Sequence, residues 1–583
     1  MKRVASMVLI MLLVVGAGCI SSNSGPSTTS LSSPSTSSTS TQTPPGVTTT
    51  STPLNSSHTG PQLSTSNFER VNFSPVGVNL SSRVHVEIDP RLELVQIIYF
   101  LSNSDWYRKH ASPYRAGANP YNYPYLRDVL NYFGNYTNAT AVRMVATMVD
   151  NSLAYDAIPE FALHLNPANF SRDMNWSDML KLRPWLNVTL LNEFARAVAQ
   201  FANETDFWRF YNEHRAFYNK TLLEFEANGR GILNVTRFEE NFFGENISSW
   251  TIVPLTLIAY DGFGYHLNEG GKKRIYAFLG FDRIEGGVPR VYLSQTGITF
   301  LVHEFAHSFV NPAVDEYYYL FKPYESLYDP VREKLTRMAY PNFKVMLYET
   351  FVRAVEAYYL NVTGHPDEAL DDLIKNRNLG FYFIGDVYRA YVDDYMKHRD
   401  VYKNYTDFMP ELARVIEEVY NRTDGGRNLT LPITVWDFVT AANNSGVVIS
   451  YGASPAEKQL AEFVFESYTA EGIRATIKPV SNLNSSDLRK NLVLVLLSNA
   501  SVLSKLQENT PVFVNGTTVK SRITRKTYSG NLRVLEVIQN PWNQSALIML
   551  VIGTDEKALK GIHAYASIWY SIRRPSGVLL EWG

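Results

Sequence analysis

The chain of 583 residues contains one cysteine, Cys19, and that scarcity has two consequences. No intramolecular disulfide can form, and no thiolate zinc site can be assembled. An excess of charge is also lacking. The 54 Lys and Arg against 56 Asp and Glu leave a net charge of -2, without the basic surplus that neutralises phosphates, which argues against a nucleic-acid partner. GxSxG is missing, so no serine nucleophile elbow is signalled. The glycine turns of the C-terminal third carry neither GxGxxG nor GxxxxGK[ST], which leaves nucleotide binding unsupported. No periodic repeat is present. Aromatics, in contrast, are plentiful, with 36 Tyr and 31 Phe, enough for large rigid cores and a tyrosine-rich surface.

The N-terminus, "MKRVASMVLIMLLVVGAGCISS", places Lys2 and Arg3 before an apolar run from Met7 to Val15 and small residues before Cys19. The run is too short to cross a bilayer and reads as an export signal over residues 1–18. It resembles a lipoprotein signal, which implies lipidation of Cys19 and attachment to the outer face of the cell membrane. A plain secretory signal is the alternative. Residues 19–67 are almost wholly Ser, Thr and Pro and cannot bury enough apolar surface to fold. Such a stalk spans roughly 40 Å as a coil. About twenty N-x-Ser/Thr sequons follow, among them Asn135, Asn187, Asn219, Asn246, Asn361, Asn404 and Asn515, as suits a glycosylated surface protein.

Length and pattern predict a multidomain chain. Residues 68–430 are mainly helical: "RLELVQIIYFL", "AVRMVATMVDNSLAYDAI" and the segment from Leu190 to Glu226 carry apolar residues at three- and four-residue spacing. Within them "RIYAFLGF" from Arg274 and "RVYLS" from Arg290, separated by Gly286-Gly287, predict a β pair. Residues 431–583 alternate strand and helix patterns. "GVVISYG", "IRATIKPV", "NLVLVLL" and "ALIMLVIGT" predict a small α/β unit with a parallel sheet, closed by a helix over "DEKALKGIHAYASIWYSI".

The chemistry lies in "TFLVHEFAHSFVNP", Thr299 to Pro312. Helical spacing points His303 and His307 at one ion while Glu304 reaches its bound water, and Asn311-Pro312 predicts the end of that helix. A catalytic zinc needs a third protein ligand. Val310 and Ala313 exclude the HExxHxxGxxH variant, so a carboxylate is sought downstream. "NFKVMLYETFVRAVEAYYL" offers Glu349 and Glu356, seven apart on one face with Arg353 between them. Glu349 is the preferred ligand and Glu356 the alternative; the other of the two bonds a ligand histidine or pairs with Arg353. Two imidazoles and a carboxylate favour Zn2+, one per chain. In that chemistry Glu304 is the general base for a zinc-bound water, and Tyr265, His266, Tyr348 and Arg353 are candidate oxyanion donors or supports. The strand Arg290 to Ser294 is the expected edge for an extended peptide.

Residues from about Asp89 to Leu360, through "HEFAHSFVNP" and "YETFVRA", resemble an uncharacterised family of extracellular HExxH proteins of bacteria and archaea, read as gluzincin-type zinc metallopeptidases. The resemblance implies a mainly α-helical, gluzincin-like (α+β) domain, His303, His307 and Glu349 as ligands, Glu304 as base, and a peptide or protein substrate. Residues 431–583, with "NPWN" at Asn540 to Asn543, resemble the α/β domains attached to archaeal cell-surface proteins, which implies contact with the cell envelope. The competing class is a non-catalytic surface-binding protein with a structural metal.

Overall fold

The computed structural model describes residues 73–583, apart from 151–152, 184–185, 292, 294–297, 509 and 561–565. The signal, the stalk and Cys19 lie outside the described residues. A helical part is followed by a sheet-rich C-terminal region. One apolar core extends from Val76 to Val419, and two more cover the faces of the C-terminal sheet.

Inside the helical part lies a five-stranded sheet. Strands β1 (Val76–Asn79), β2 (Val84–Ile88), β3 (Ser249–Ala259), β4 (Gly262–Glu269) and β5 (Lys272–Phe281) take the order β1-β2-β3-β5-β4. β4 is therefore an edge strand, antiparallel to β5, while β3 and β5 run parallel. Cross-strand partners share a face, so Trp250, Ile275 and His266 look one way and Thr251, Tyr276 and Tyr265 the other. Trp250 meets Phe305 of the long helix Ile298–Phe321 on the first face. On the second, Tyr276 lies near Arg91 of the helix Pro90–Ser102.

β3 skips register between Leu255 and Ala259, leaving its backbone without sheet partners at the extra residues. Side chains fill the gap: the Tyr123 hydroxyl donates to Thr256 O at 2.8 Å, the Tyr107 hydroxyl to Leu257 O, and Leu257 N to Gln96 Oε1 at 2.9 Å. The bulge leads into Tyr260, held at a φ of 66°, and Asp261 at the entry to β4.

Several expectations change. The long helical patterns are broken: Thr140–Asp150 and Ala157–Leu163 are separate helices, as are Val188–Glu204, Phe207–Glu213 and Arg215–Ala227. The strand expected from Arg274 lies within β5, but its partners are β3 and β4; Gly286-Gly287 instead turns a short hairpin, β6 (Arg283–Glu285) with β7 (Val288–Arg290). The edge strand beside the HExxH helix is thus β4, not Arg290 to Ser294, part of which lies outside the described residues. β4 escaped notice because two of its first three residues are glycines. Pro312 does not end its helix, which continues to Phe321. The missing N–H costs one bond, but Ala313 and Val314 beyond it are buried in the core, and that packing carries the helix on.

The C-terminal sheet runs Leu579–Trp582, Tyr570–Arg573, Arg533–Gln539, Leu547–Gly553, Asn491–Leu497, Val447–Tyr451, Ala475–Pro479. Its last four strands are parallel and its first three antiparallel, so the sheet is mixed. Of the expected closing helix, the described residues hold a turn, Glu556–Leu559, and a strand at "YSIR", while 561–565 lie outside the described residues; the strand's buried, alternating apolar side chains pair with Arg533–Gln539.

Candidate metal centre

The site begins with two glycines. A Cβ at Gly264 would stand 1.8 Å from the carbonyl oxygen of Glu304, and one at Gly262 would stand 2.1 Å from Phe300 Cζ and 2.6 Å from Glu304 Oε1. The absence of side chains lets the HExxH helix lie directly on β4. Behind it packs the helix Phe343–Val362, opened by Asn342, whose side chain accepts from Val345 N at 3.0 Å.

Between these helices His303, His307 and Glu349 form a buried group able to hold a metal ion. The Nε2 atoms of His303 and His307 are 3.0 Å apart. Glu349 Oε1 lies 3.6 Å from His307 Nε2, and Oε2 lies 3.8 Å from His303 Nε2. Tetrahedral zinc with bonds of about 2.0–2.1 Å has donor-to-donor edges of roughly 3.3 Å, which the three separations bracket.

The opposite ring nitrogens explain why Nε2 is the free face. His307 Nδ1 donates to Asn311 Oδ1 at 3.1 Å, and His303 Nδ1 faces Glu356 Oε1 at 3.3 Å. Each acceptor fixes the tautomer that leaves a lone pair on Nε2. Two lone pairs facing each other at 3.0 Å repel unless a cation joins them. Burial, followed by Arg353 for His303 and by His303 for His307, holds both imidazoles well below their ordinary range, so they are neutral nitrogen donors rather than partners in ion pairs.

The carboxylates differ in partners. Glu349 keeps Oε1 without any hydrogen-bond donor, while Oε2 accepts from Arg353 NH2 at 2.8 Å and Nε at 3.2 Å. Burial lifts it to about 7 against the pull of Arg353. Glu356, lifted to about 7 by burial, stands on the Nδ1 side of His303, behind the ring. Glu304 Oε2 has no partner either; burial, with Glu349 next, pushes Glu304 well above the usual carboxylate range. His303, Glu304, His307 and Glu349 are 4%, 1%, 2% and 0% exposed, so the whole group is buried.

The other sequence candidates separate. His266 shares the sheet face of Gly262 and Gly264, and burial, then Lys273, lowers it to about 4, so it is a neutral imidazole. Tyr265 points to the opposite face. The Tyr348 hydroxyl donates to Asp315, away from the histidines. Arg353 serves Glu349, Tyr340 and Asn376. Asn376 and Asp261 escaped sequence reasoning, and Asn311, read there only as part of a helix stop, holds His307. Asp261 precedes Gly262, is fully buried with both carboxylate oxygens unpartnered, and is lifted to about 8 by burial against Arg115. Its only signal was the Asp-Gly step before an alternating strand.

Elsewhere the sequon asparagines Asn135, Asn187, Asn219, Asn246 and Asn515 are exposed and Asn361 and Asn404 half-buried. Among the described residues no helix is long and apolar enough to cross a membrane. Residues 84–415 match the family described as "Domain of unknown function (DUF4932)"; the match covers more than half of the chain, which belongs to that family. No curated protein and no solved structure matches it.

Proposed function

We propose that the chain is a zinc-dependent peptidase of gluzincin type, held on the outer face of the cell membrane by a lipid on Cys19. The observation that carries the reading is the convergence of two bare Nε2 atoms 3.0 Å apart on a carboxylate whose Oε1 lacks a donor, with an unpartnered glutamate on the same helix turn.

Zinc bound there would polarise a substrate carbonyl and acidify a coordinated water. Glu304 accepts the water's proton; burial beside Glu349 makes its carboxylate a stronger base than usual, and it returns the proton to the leaving nitrogen. Glu349 and the two imidazoles fix the ligand geometry, with Glu356 and Asn311 holding the rings from behind. Among the described residues no strand pairs with the outer side of β4, and an extended peptide adds there in front of Glu304. His266, neutral and on the same face, is the candidate donor to the oxyanion. The C-terminal unit is the part that would contact the cell envelope.

The test pairs hydrolysis of a peptide library with metal content, for the native chain and for Glu304→Gln. Hydrolysis that depends on zinc and is lost in the variant while the metal stays supports the reading. A second reading, a non-catalytic surface protein with a structural metal, is favoured by the near-complete burial of the group. It predicts bound zinc and no cleavage in either protein. Anchoring is checked separately: Cys19→Ser should leave the membrane fraction.

A further inference from the structure

The carboxylate of Glu349 is aimed by a chain of buried groups that continues past the metal centre. Arg353 grips Oε2 with Nε and NH2, donates from NH2 to the Tyr340 hydroxyl at 3.0 Å, and lies 4.9 Å from the centre of the Phe381 ring. Its remaining arm, NH1, donates to Asn376 Oδ1 at 3.1 Å. The Asn376 amide is itself fixed, because Nδ2 donates to the carbonyl and to Oδ2 of Asp372, both at 3.0 Å.

Asn376 belongs to the last turns of the helix Pro366–Leu379, which covers Phe343–Val362. Two residues on round the helix is about 200°, so Asn378 looks the opposite way. Its Nδ2 donates to Ser567 O of the C-terminal unit at 3.0 Å. Both asparagines are fully buried, a cost met only because each amide has its partner. Two more contacts tie the same helix to the same unit. Trp582 Nε1 donates to Asp371 Oδ1 at 2.8 Å, and Lys334 Nζ bridges Asn378 O at 2.9 Å to Asp437 Oδ2 at 2.9 Å.

Resting on the metal reading above, we propose that the C-terminal unit is a positioning element of the metal centre. It clamps the covering helix, whose Asn376 holds Arg353 and, through it, the ligand carboxylate of Glu349. Asn376 is a positioning residue, since it touches no ligand atom of the site.

The experiment measures zinc affinity of the full chain by competition with a chelator, and the visible absorption of the cobalt(II) form, for the native protein, Asn376→Leu, Asn378→Leu and Trp582→Phe. Loss of a group that orients a metal ligand weakens binding about 10- to 100-fold, the expectation for Asn376→Leu. The two contacts at the C-terminal unit, one step further away, are expected to weaken it by roughly 3- to 10-fold, below that range. The cobalt bands of all three should move from the native positions as the carboxylate turns, a change that mere loss of stability does not produce. Trp582→Phe removes one hydrogen bond at the surface, so a folded protein carries the test even if a leucine variant unfolds. Native zinc affinity and native cobalt bands in Trp582→Phe and in any folded asparagine variant overturn the proposal alone. A native protein that binds no zinc overturns the metal reading, and the proposal with it.

Discussion

Glu93 and Glu349 are both wholly buried acids on helices, one packed on the five-stranded sheet and the other behind the HExxH helix, and burial lifts both to about 7. They differ in what faces them. Thr256 Oγ1 donates to Glu93 at 2.7 Å from Oε1 and 2.8 Å from Oε2, and the Tyr125 hydroxyl donates as well, so neither oxygen is left over. Glu349 keeps one oxygen without a donor, aimed at the free face of His307. Burial and a raised pKa therefore do not mark a site. Nor does an unsatisfied oxygen by itself, since Glu239 and Asp261 are buried with both oxygens unpartnered; what sets Glu349 apart is that its unsatisfied carboxylate meets the Nε2 atoms of two histidines, a group that could hold a metal ion.

The largest effect expected from this contrast is on hydrolysis. Glu304→Gln keeps the shape of the helix and the metal ligands but removes the base, and peptide cleavage should drop about 10²- to 10⁴-fold with metal content unchanged. Glu93→Gln should leave cleavage at the native level; a matching loss there would break the contrast.

Gly264 comes next. Any side chain there collides with the Glu304 carbonyl, which no rotamer can move. Gly264→Ala should cost roughly 1–3 kcal/mol of overpacking, read as a lowered urea midpoint. Gly385, within a helix and with nothing near its Cβ, is the control, and Gly385→Ala should be neutral or stabilising by less than about 1 kcal/mol.

The smallest effect is a slope. Glu93 binds its proton more tightly folded, at about 7, than unfolded, near the ordinary 4.5 of a glutamate. The native state then holds more protons between those values, so the stability this group contributes is full at low pH and is lost as pH rises from about 4.5 to 7. Urea unfolding across that window should fall off less steeply for Glu93→Gln than for the native chain. Equal slopes would mean that Glu93 is ionised in the folded protein.

The histidines and Glu304 were legible because helical spacing alone brings them to one face. Glu349 and Glu356 were not separable that way, since residues seven apart share a face; the ring nitrogen each one meets decides between them. The edge strand was hidden by the property that makes it useful, as Gly262 and Gly264 erase the apolar alternation that signals a strand. Pro312 and the segment ending in "YSIR" were misread for one reason: local preference yields to tertiary packing when the flanking residues are buried. Asn376 carried no signal, because its partner Arg353 is set by how two helices pack, which spacing within one helix does not encode.

The most direct test is metal content by elemental mass spectrometry after zinc reconstitution, on the native chain, Glu349→Ala and Glu356→Ala side by side. One zinc is expected per native chain, none in Glu349→Ala, and zinc retained in Glu356→Ala with affinity about ten-fold weaker. No zinc in the native chain, or loss with Glu356 rather than Glu349, would contradict the proposed metal centre.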